Sequence, residues 1–401
     1  MKHIVYLSYD GISDPLGQSQ ILPYIFGISQ VNEYKLTIIS FEKPHNLNKL
    51  KFNISKNLIA SNIDWIHLKY TKTPPIISTL IDLYKLNTAL IKIIKNNSID
   101  LIHTRSYITS IIALRFKKTN KIPFIFDMRG FYADERIDGK IWNKNHFIFK
   151  YVYKYFKIKE RQFLQSSNHT ISLTKSGKKE IQSWELPNLS PITIIPCCTD
   201  ETLFKKENIK DIKSELNIKE SDFIISYIGS IGTWYMLDEM LDFFKVIHLK
   251  KPNSMFLFIT KDNPNLIFDK CLEKQIPKSS IVIKASSREM MPSYIGLSDF
   301  SIFFILPLYS KKASSPTKMG EIMNLGIPII CNSGVGDVDE VMERCMPELL
   351  VKNFNTQEYE RIVDLLLNDF NSEKIIQTSH NYYSLNKGLK KYLDIYKQIL
   401  K

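Results

Sequence analysis

The sequence predicts an α/β protein made of two doubly wound, Rossmann-like domains that face a cleft. Three observations carry that reading. The chain has 401 residues, more than a single hydrophobic core usually organises. Short apolar runs rich in β-branched residues alternate with longer amphipathic stretches, the pattern of strand–helix–strand units in a parallel sheet. The alternation comes in two series, separated by a charged segment poor in large apolar residues.

The first series supplies seven candidate strands: HIVYLSY from His3, LTIIS from Leu36, WIHLKY from Trp65, DLIHT from Asp100, PFIFD from Pro123, HTISL from His169 and ITIIP from Ile192. Helical periodicity fills the gaps, most clearly over Ile77–Ile94 and Phe147–Leu164. The linker is expected near Asp200–Lys205. The second series begins near Asp222 with FIISYIG, MFLFIT, SIVIKA, DFSIFFIL, IPIICN and ELLVK. Leu389, Tyr392, Leu393, Tyr396 and Leu400 keep helical spacing at the end of the chain. The expected division is therefore 1–203, 204–380 and a C-terminal helix over 381–401 that returns to the first domain.

Composition narrows the function. Hydrophobic residues make up 44% and charged residues 24%, which excludes extended disorder. The net charge is +13, which attracts polyanions. The basic residues are spread along the chain, with no arginine-rich arm and no zinc-finger spacing. Phosphate ligands and an anionic membrane surface fit better than nucleic acid. Cys197, Cys198, Cys271, Cys331 and Cys345 form no CxxC pair, so neither a disulfide framework nor a zinc site is expected. The longest apolar run, Phe300–Tyr309, is far shorter than the roughly 20 residues that span a bilayer. Any membrane association would be peripheral.

Three segments carry candidate chemistry. YDGISDPLGQSQ (Tyr9–Gln20) follows the first strand and precedes a helix expected at Ile21. Gly17 there can accept a positive φ and let backbone approach a ligand. YIGSIGTWY (Tyr227–Tyr235) takes the matching place in the second series, with Gly229, Ser230 and Gly232 in the turn. SSPTKMGEIMNLG (Ser314–Gly326) is the strongest. Pro316 suits a first helical turn, and Ser314 or Ser315 can cap it. The first N–H groups, the hydroxyls of Ser315 and Thr317 and the Lys318 ammonium then converge on one spot, as a phosphate site requires. Glu321, three residues on, shares the Lys318 face and can hold a ribose diol.

A further cluster lies at the expected carboxyl edge of the first sheet: Asp127, Arg129, Asp134 and Glu135, bordered by Arg105 and Ser106. Arg129 can take a phosphate or carboxylate. Asp127 or Asp134 can accept or orient an acceptor hydroxyl proton, or the group can pin a loop. His103 reads as a packed strand residue. The DxD at Asp337–Asp339 follows two glycines in a loop and reads as a helix cap, not a metal site. Phe147–Arg161, FIFKYVYKYFKIKER, mixes aromatics with lysines. Such a helix lies in a membrane interface or packs its apolar stripe on the sheet.

Taken in order, YDGISDPLGQSQ, DLIHTRSY, FDMRGFYADE, YIGSIGTWY and SPTKMGEIMNLGIPII resemble the family 4 glycosyltransferases of the GT-B fold, over nearly the whole chain. The likeness is to the subgroup that builds bacterial surface polysaccharides. It implies that the first domain binds the acceptor and the second the nucleotide-sugar. Gly17, with neighbouring Gln18, would approach the donor diphosphate, and Lys318 with the amides near Thr317 would hold the phosphates. Glu321 would bind the ribose, and backbone from Lys284 to Arg288 the base. Three positions depart from the family pattern. Ala313 stands where relatives carry the first carboxylate of an E-x7-E pair. Ser230, Trp234 and Tyr235 occupy a loop that often holds a basic pair, which shifts phosphate neutralisation to Lys318, or to Lys261 and Arg288. Asp127-Met128-Arg129-Gly130 replaces a segment that often holds a histidine.

The expected activity is transfer of a sugar, with retention of anomeric configuration and without metal or cofactor. The donor would be a nucleotide-diphosphate sugar and the acceptor a glycan or lipid-linked glycan of O-antigen, capsule or lipopolysaccharide. The expected place is the cytoplasm, peripheral on the inner face of the membrane. Two rivals remain at this level: a nucleotide-sugar epimerase of the same fold, and a catalytically silent nucleotide-binding subunit.

Overall fold

The computed structural model describes residues 1–366 and 368–401. The chain folds as two compact units. The first comprises Met1–Pro196 with Leu385–Lys401, and the second Cys197–Ser384.

In the first unit the elements follow one another as β1 (Lys2–Ser8), α1 (Pro15–Gln20), α2 (Leu22–Ser29), β2 (Tyr34–Glu42), α3 (Pro44–Ala60) and β3 (Ile63–Lys69). Then come α4 (Ile77–Asn96), β4 (Leu101–Arg105), α5 (Ser106–Asn120), β5 (Phe124–Asp127), α6 (Tyr132–Asp138), α7 (Phe147–Ser166), β6 (His169–Ser172), α8 (Lys175–Gln182) and β7 (Ile192–Ile194). The strands form one sheet in the order β3-β2-β1-β4-β5-β6-β7, parallel at every pairing. β1, β4 and β5 are buried on both faces, apart from Lys2. That explains why their sequences are continuous apolar runs and not alternations.

The second unit repeats the plan with β8 (Phe223–Ile228), α9 (Leu237–Lys250), β9 (Ser254–Ile259), α10 (Asn265–Glu273), β10 (Ile281–Lys284), α11 (Met291–Gly296), β11 (Phe300–Phe303) and α12 (Thr317–Asn324). It continues through β12 (Ile329–Asn332), α13 (Val338–Cys345), β13 (Leu350–Val351), α14 (Thr356–Leu365) and α15 (Ser372–Tyr383). Its sheet runs β10-β9-β8-β11-β12-β13. Phe243, Phe244, Phe256 and Phe258 are fully buried in its core, each stabilising by about 1.5–3 kcal/mol through area removed from water. The last helix, α16 (Leu385–Ile399), packs on α2 of the first unit.

Both unit boundaries differ from the expected ones for local reasons. The second unit holds the chain from Cys197, earlier than the expected linker. The Cys197 N–H donates to Ser315 Oγ at 3.2 Å and the Thr199 N–H to the Tyr383 carbonyl at 2.7 Å. Phe204 is already buried in the second core. The terminal helical segment is broken at Ser384, which is extended and pairs with Thr199. Of that segment, only Leu385–Lys401 belongs to the first unit.

In each sheet the strand order reverses between two central neighbours, β1 and β4 or β8 and β11. Parallel sheets bind ligands beyond the carboxyl ends of the strands at that switch. The segments that matter are those leaving β1, β4 and β5, and those leaving β8, β10 and β11.

Candidate functional site

In the second unit, three segments meet at the switch. The turn after β8 has Gly229 at φ +127° and Gly232 at φ +85°, backbone conformations that favour glycine. α12 starts at Thr317. Pro316 is its N-cap residue and no side chain caps it. The expected serine cap is absent because Ser315 Oγ is taken by the Cys197 N–H.

Lys318, in the first turn of α12, is buried and points at the glycine turn. A Cβ added to Gly229 would sit 3.0 Å from its Nζ. The Nζ lies 3.8 Å from the Tyr235 ring centroid, 4.3 Å from that of Tyr227 and 5.8 Å from that of Phe303. Among the described residues it has no hydrogen-bond partner. Burial, only partly offset by the Glu321 charge, pulls this ammonium down to about 7. Ring faces attract a cation, but they replace little of the hydration that three N–H donors lose on burial. The site therefore holds a cation short of an anion.

Glu321 does not pair with Lys318. It makes an ion pair with Arg288, whose guanidinium also stacks on Phe204 at 4.7 Å. The segment after β10 is thereby tied to α12. Lys261 follows β9 at the same sheet edge and is exposed. Ser230 follows Gly229, and its carbonyl accepts from Tyr227 Oη at 2.5 Å. Thr317 is half-buried at the helix start. Ala313, at the position of the missing carboxylate, is buried. In the DxD, Asp337 takes the N-cap position of α13 and Asp339 accepts from the Gly334 N–H at 2.9 Å. Among the described residues no group of three His, Cys, Asp or Glu is placed to hold a metal ion.

The first unit differs more from expectation. Gly17 has no positive φ, because it lies inside α1, a short helix that precedes the one expected at Ile21, which forms as α2 with Ile21 as its N-cap residue. Its lack of a side chain serves close packing: a Cβ there would collide with the backbone of Gly11 and Ile12. Gln18 Nε2 donates to the Ser13 carbonyl at 3.1 Å. Sequence reasoning missed Glu42, at the end of β2. Its buried carboxylate accepts from the Ile12 N–H at 2.8 Å, the Ser13 N–H at 3.1 Å, Ser40 Oγ at 2.5 Å and Ser13 Oγ. A lone glutamate ending a strand carries no local signal for such a role. Only the parallel pairing of β1 with β2 brings it under the loop.

At the end of β5, Asp127 is fully buried. Its Oδ2 accepts from Tyr392 Oη of α16 at 2.9 Å and lies 3.8 Å from His103 Nε2, while Oδ1 lies 3.7 Å from Arg129 Nη1. Burial raises its pKa, but Arg129, His103 and Arg105 outweigh that and hold it down to about 2. A carboxylate so placed is poorly matched to accepting a proton near neutrality. It positions Arg129, which has φ +59° just before Gly130 at φ +125°. His103 is buried, with Nδ1 at 2.6 Å from Tyr396 Oη, and burial pulls its pKa down. Arg105 is buried, 3.5 Å from Asp10 and donating to the Gln20 carbonyl at 3.4 Å. Asp134 instead joins α6 to α7, accepting from Tyr153 Oη and Lys157 Nζ at 2.8 Å each. Glu135 is half-buried beside it on α6. Of the expected residues, Asp127 and Arg129 stand together, with His103, Arg105 and Tyr392 around Asp127, while Asp134 is engaged by α7.

Two parallel sheets of this order, each with loops gathered at its switch point, define the GT-B class of glycosyltransferase architecture. The sequence matches the profile described as "Glycosyltransferase Family 4" over residues 31–203 and that described as "Glycosyl transferases group 1" over residues 208–381. The chain belongs to the family 4 glycosyltransferases.

Solved structures agree on the fold. A sucrose-phosphate synthase from Thermosynechococcus elongatus superposes with a TM-score of 0.73 at 13% identity, covering 100% of this chain and 99% of the other. The Anabaena protein HepE, solved with UDP-glucose, gives 0.71 at 10% identity, covering 99% and 100%. A glycosyltransferase from Rickettsia africae gives 0.70 at 16% identity, covering 100% and 99%. No curated protein matches the chain in sequence.

Proposed function

We propose that this glycosyltransferase takes its sugar from a nucleoside-diphosphate donor. The sugar passes, with retention of configuration and without metal, to a glycan or lipid-linked acceptor of a surface polysaccharide (O-antigen, capsule or lipopolysaccharide). The observation that carries the donor assignment is the buried Lys318 ammonium, lacking an oxygen partner and aimed at the Gly229 turn. A diphosphate there supplies the missing anion, and the start of α12 adds oriented N–H groups. HepE, of the same fold, was solved with UDP-glucose, which supports a nucleotide-sugar as the donor.

The chemistry follows from the charges. The bond between the anomeric carbon and the donor's phosphate oxygen breaks, and Lys318 with the α12 N–H groups stabilises the charge developing on that phosphate. The acceptor oxygen bonds to the same carbon from the face the phosphate leaves, and its proton passes to the departing phosphate. In the first unit, Arg129, held by Asp127, and Arg105 offer cationic groups for a phosphate on the acceptor. The acceptor would be met on the cytoplasmic side of the membrane. Thr317, Ser230 and Lys261 complete the donor edge, and the Arg288–Glu321 pair borders the ribose and base.

Thermal unfolding with UDP, GDP, ADP and CMP, in EDTA, tests the donor assignment. One nucleoside diphosphate is expected to raise the melting point, since a ligand at about a hundred times its Kd stabilises by about 2.7 kcal/mol. Sugar transfer from the matching donor with the anomeric configuration kept, read by NMR, completes the test. No response to any nucleotide would remove the assignment.

A further inference from the structure

The helical layer that covers one face of the first sheet includes α4, α5 and α7, with α5 packed between the other two. The middle helix is mostly buried, but the two outer ones are not covered. On α7, Phe147, Tyr151, Tyr155 and Ile158 recur at steps of four, four and three and form one stripe. They are 68%, 70%, 43% and 58% exposed. On α4, Ile77, Leu80, Ile81 and Tyr84, at i, i+3, i+4 and i+7, also share one face and are exposed. The α4 stripe lies in the N-terminal half of its helix, and the α7 stripe starts at the first residue of its helix and runs just past the middle. A helix that follows a parallel strand starts at the carboxyl edge of the sheet, so both stripes lie toward the edge that carries Arg105, Asp127 and Arg129.

The charges around these stripes have one sign. From Gly139 to Lys159 the chain has six lysines and no Asp or Glu. Lys140, Lys144, Lys150 and Lys154 are exposed, while Lys157 turns inward to Asp134 and Glu160. From Lys72 to Asn97 the only acid is Asp82, which is buried beside Thr71 and Lys85. A second copy of this chain would bring like charges together at such a face. An anionic surface with an apolar interior would satisfy both the lysines and the aromatics.

We propose that the exposed stripes of α7 and α4 dock on an anionic lipid bilayer, with Phe147, Tyr151 and Ile158 entering the headgroup layer and Lys150 and Lys154 meeting lipid phosphates. No helix among the described residues is long and apolar enough to cross a membrane, so the contact is made by helices lying along the surface. It sets the acceptor edge of the first sheet toward the lipid, where a lipid-linked glycan would be presented.

The test is flotation of the full chain with vesicles of phosphatidylcholine alone and of phosphatidylcholine mixed with phosphatidylglycerol. Binding is expected to the mixed vesicles only and to weaken as salt is raised. Tyr151→Ser/Ile158→Ser and Lys150→Glu/Lys154→Glu are each expected to weaken it roughly tenfold or more with the melting point unchanged, because these side chains are exposed. Absence of binding to the mixed vesicles, or binding that neither double variant alters, would overturn the proposal. So would a dimer in solution that Tyr151→Ser/Ile158→Ser converts to monomers, since the face would then belong to a second copy. Nucleotide binding rests on the second unit, so either result leaves the donor assignment to its own test.

Discussion

Lys318 carries the donor assignment, and burial holds its ammonium at about 7, far below an ordinary lysine. Its Nζ is buried against aromatic rings and has no hydrogen-bond partner among the described residues. Lys318→Met keeps the chain length and removes the buried amine. It is expected to raise the stability of the free protein by about 1–3 kcal/mol in chemical denaturation, the cost of an unsatisfied buried polar group. The pH dependence follows from the folded pKa of about 7, below the ~10.4 of an unfolded lysine. Between those values the unfolded chain binds the extra proton, so this group makes the free protein more stable as pH rises from about 7 to about 10. Diphosphate binding needs the charged form, so affinity should hold below pH 7 and fall above it. A diphosphate affinity that stays level from pH 6 to 9 in titrations would contradict this. The residue types and their order were legible in the sequence at Lys318 and Glu321, but their partners were not. Helical spacing put the two on one face, whereas the structure sends Lys318 to the Gly229 turn and Glu321 to Arg288. Those partners lie on segments distant in sequence.

Among the elements, two glycines serve opposite ends. Gly229 needs its φ of +127° and its empty space for Lys318. Gly17 has ordinary helical geometry and lets α1 rest on the Gly11–Ile12 backbone. Gly17→Ala should therefore cost about 1–3 kcal/mol through overpacking alone, with nucleotide binding in the second unit intact. Gly229→Ala should cost a similar amount through backbone strain and also abolish nucleotide stabilisation. Paired melts with and without nucleotide separate the two. The strands were readable because parallel strands buried on both faces are unbroken apolar runs. The helix expected at Ile21 forms as α2, but α1 went unseen because Pro15, a good first-turn residue, sits inside a segment that reads as a glycine turn. The cap of α12 was misplaced because Ser315 is engaged by Cys197, which the sequence separates widely from it.

At the scale of the molecule, the first unit is closed by the chain's last helix. Tyr392 of α16 donates to Asp127 and Tyr396 meets His103, so α16 completes the buried polar cluster under Arg129. Removing Leu385–Lys401 should expose that cluster and lower or abolish the first unit's unfolding transition. The transition that nucleotide raises should remain, since the second unit ends at Ser384. Calorimetric scans of the truncated and full chains would show it, and loss of the nucleotide response on truncation would be contrary to it. The two-unit plan was evident from the repeated alternation, but the exact hand-over at Ser384 was not. It depends on a single extended residue pairing with Thr199, which helical spacing on either side conceals.

The most direct measurement is calorimetric titration at pH 8 of wild type and Lys318→Met with the nucleoside diphosphate that stabilises best, in two buffers of different ionisation enthalpy. Wild type is expected to take up close to one proton, roughly the fraction of Lys318 neutral at that pH, and the variant to bind roughly a hundredfold or more weakly, the loss of a buried charge-assisted contact, with no uptake. Equal affinity and equal proton uptake in the two proteins would show that the diphosphate does not bind at Lys318.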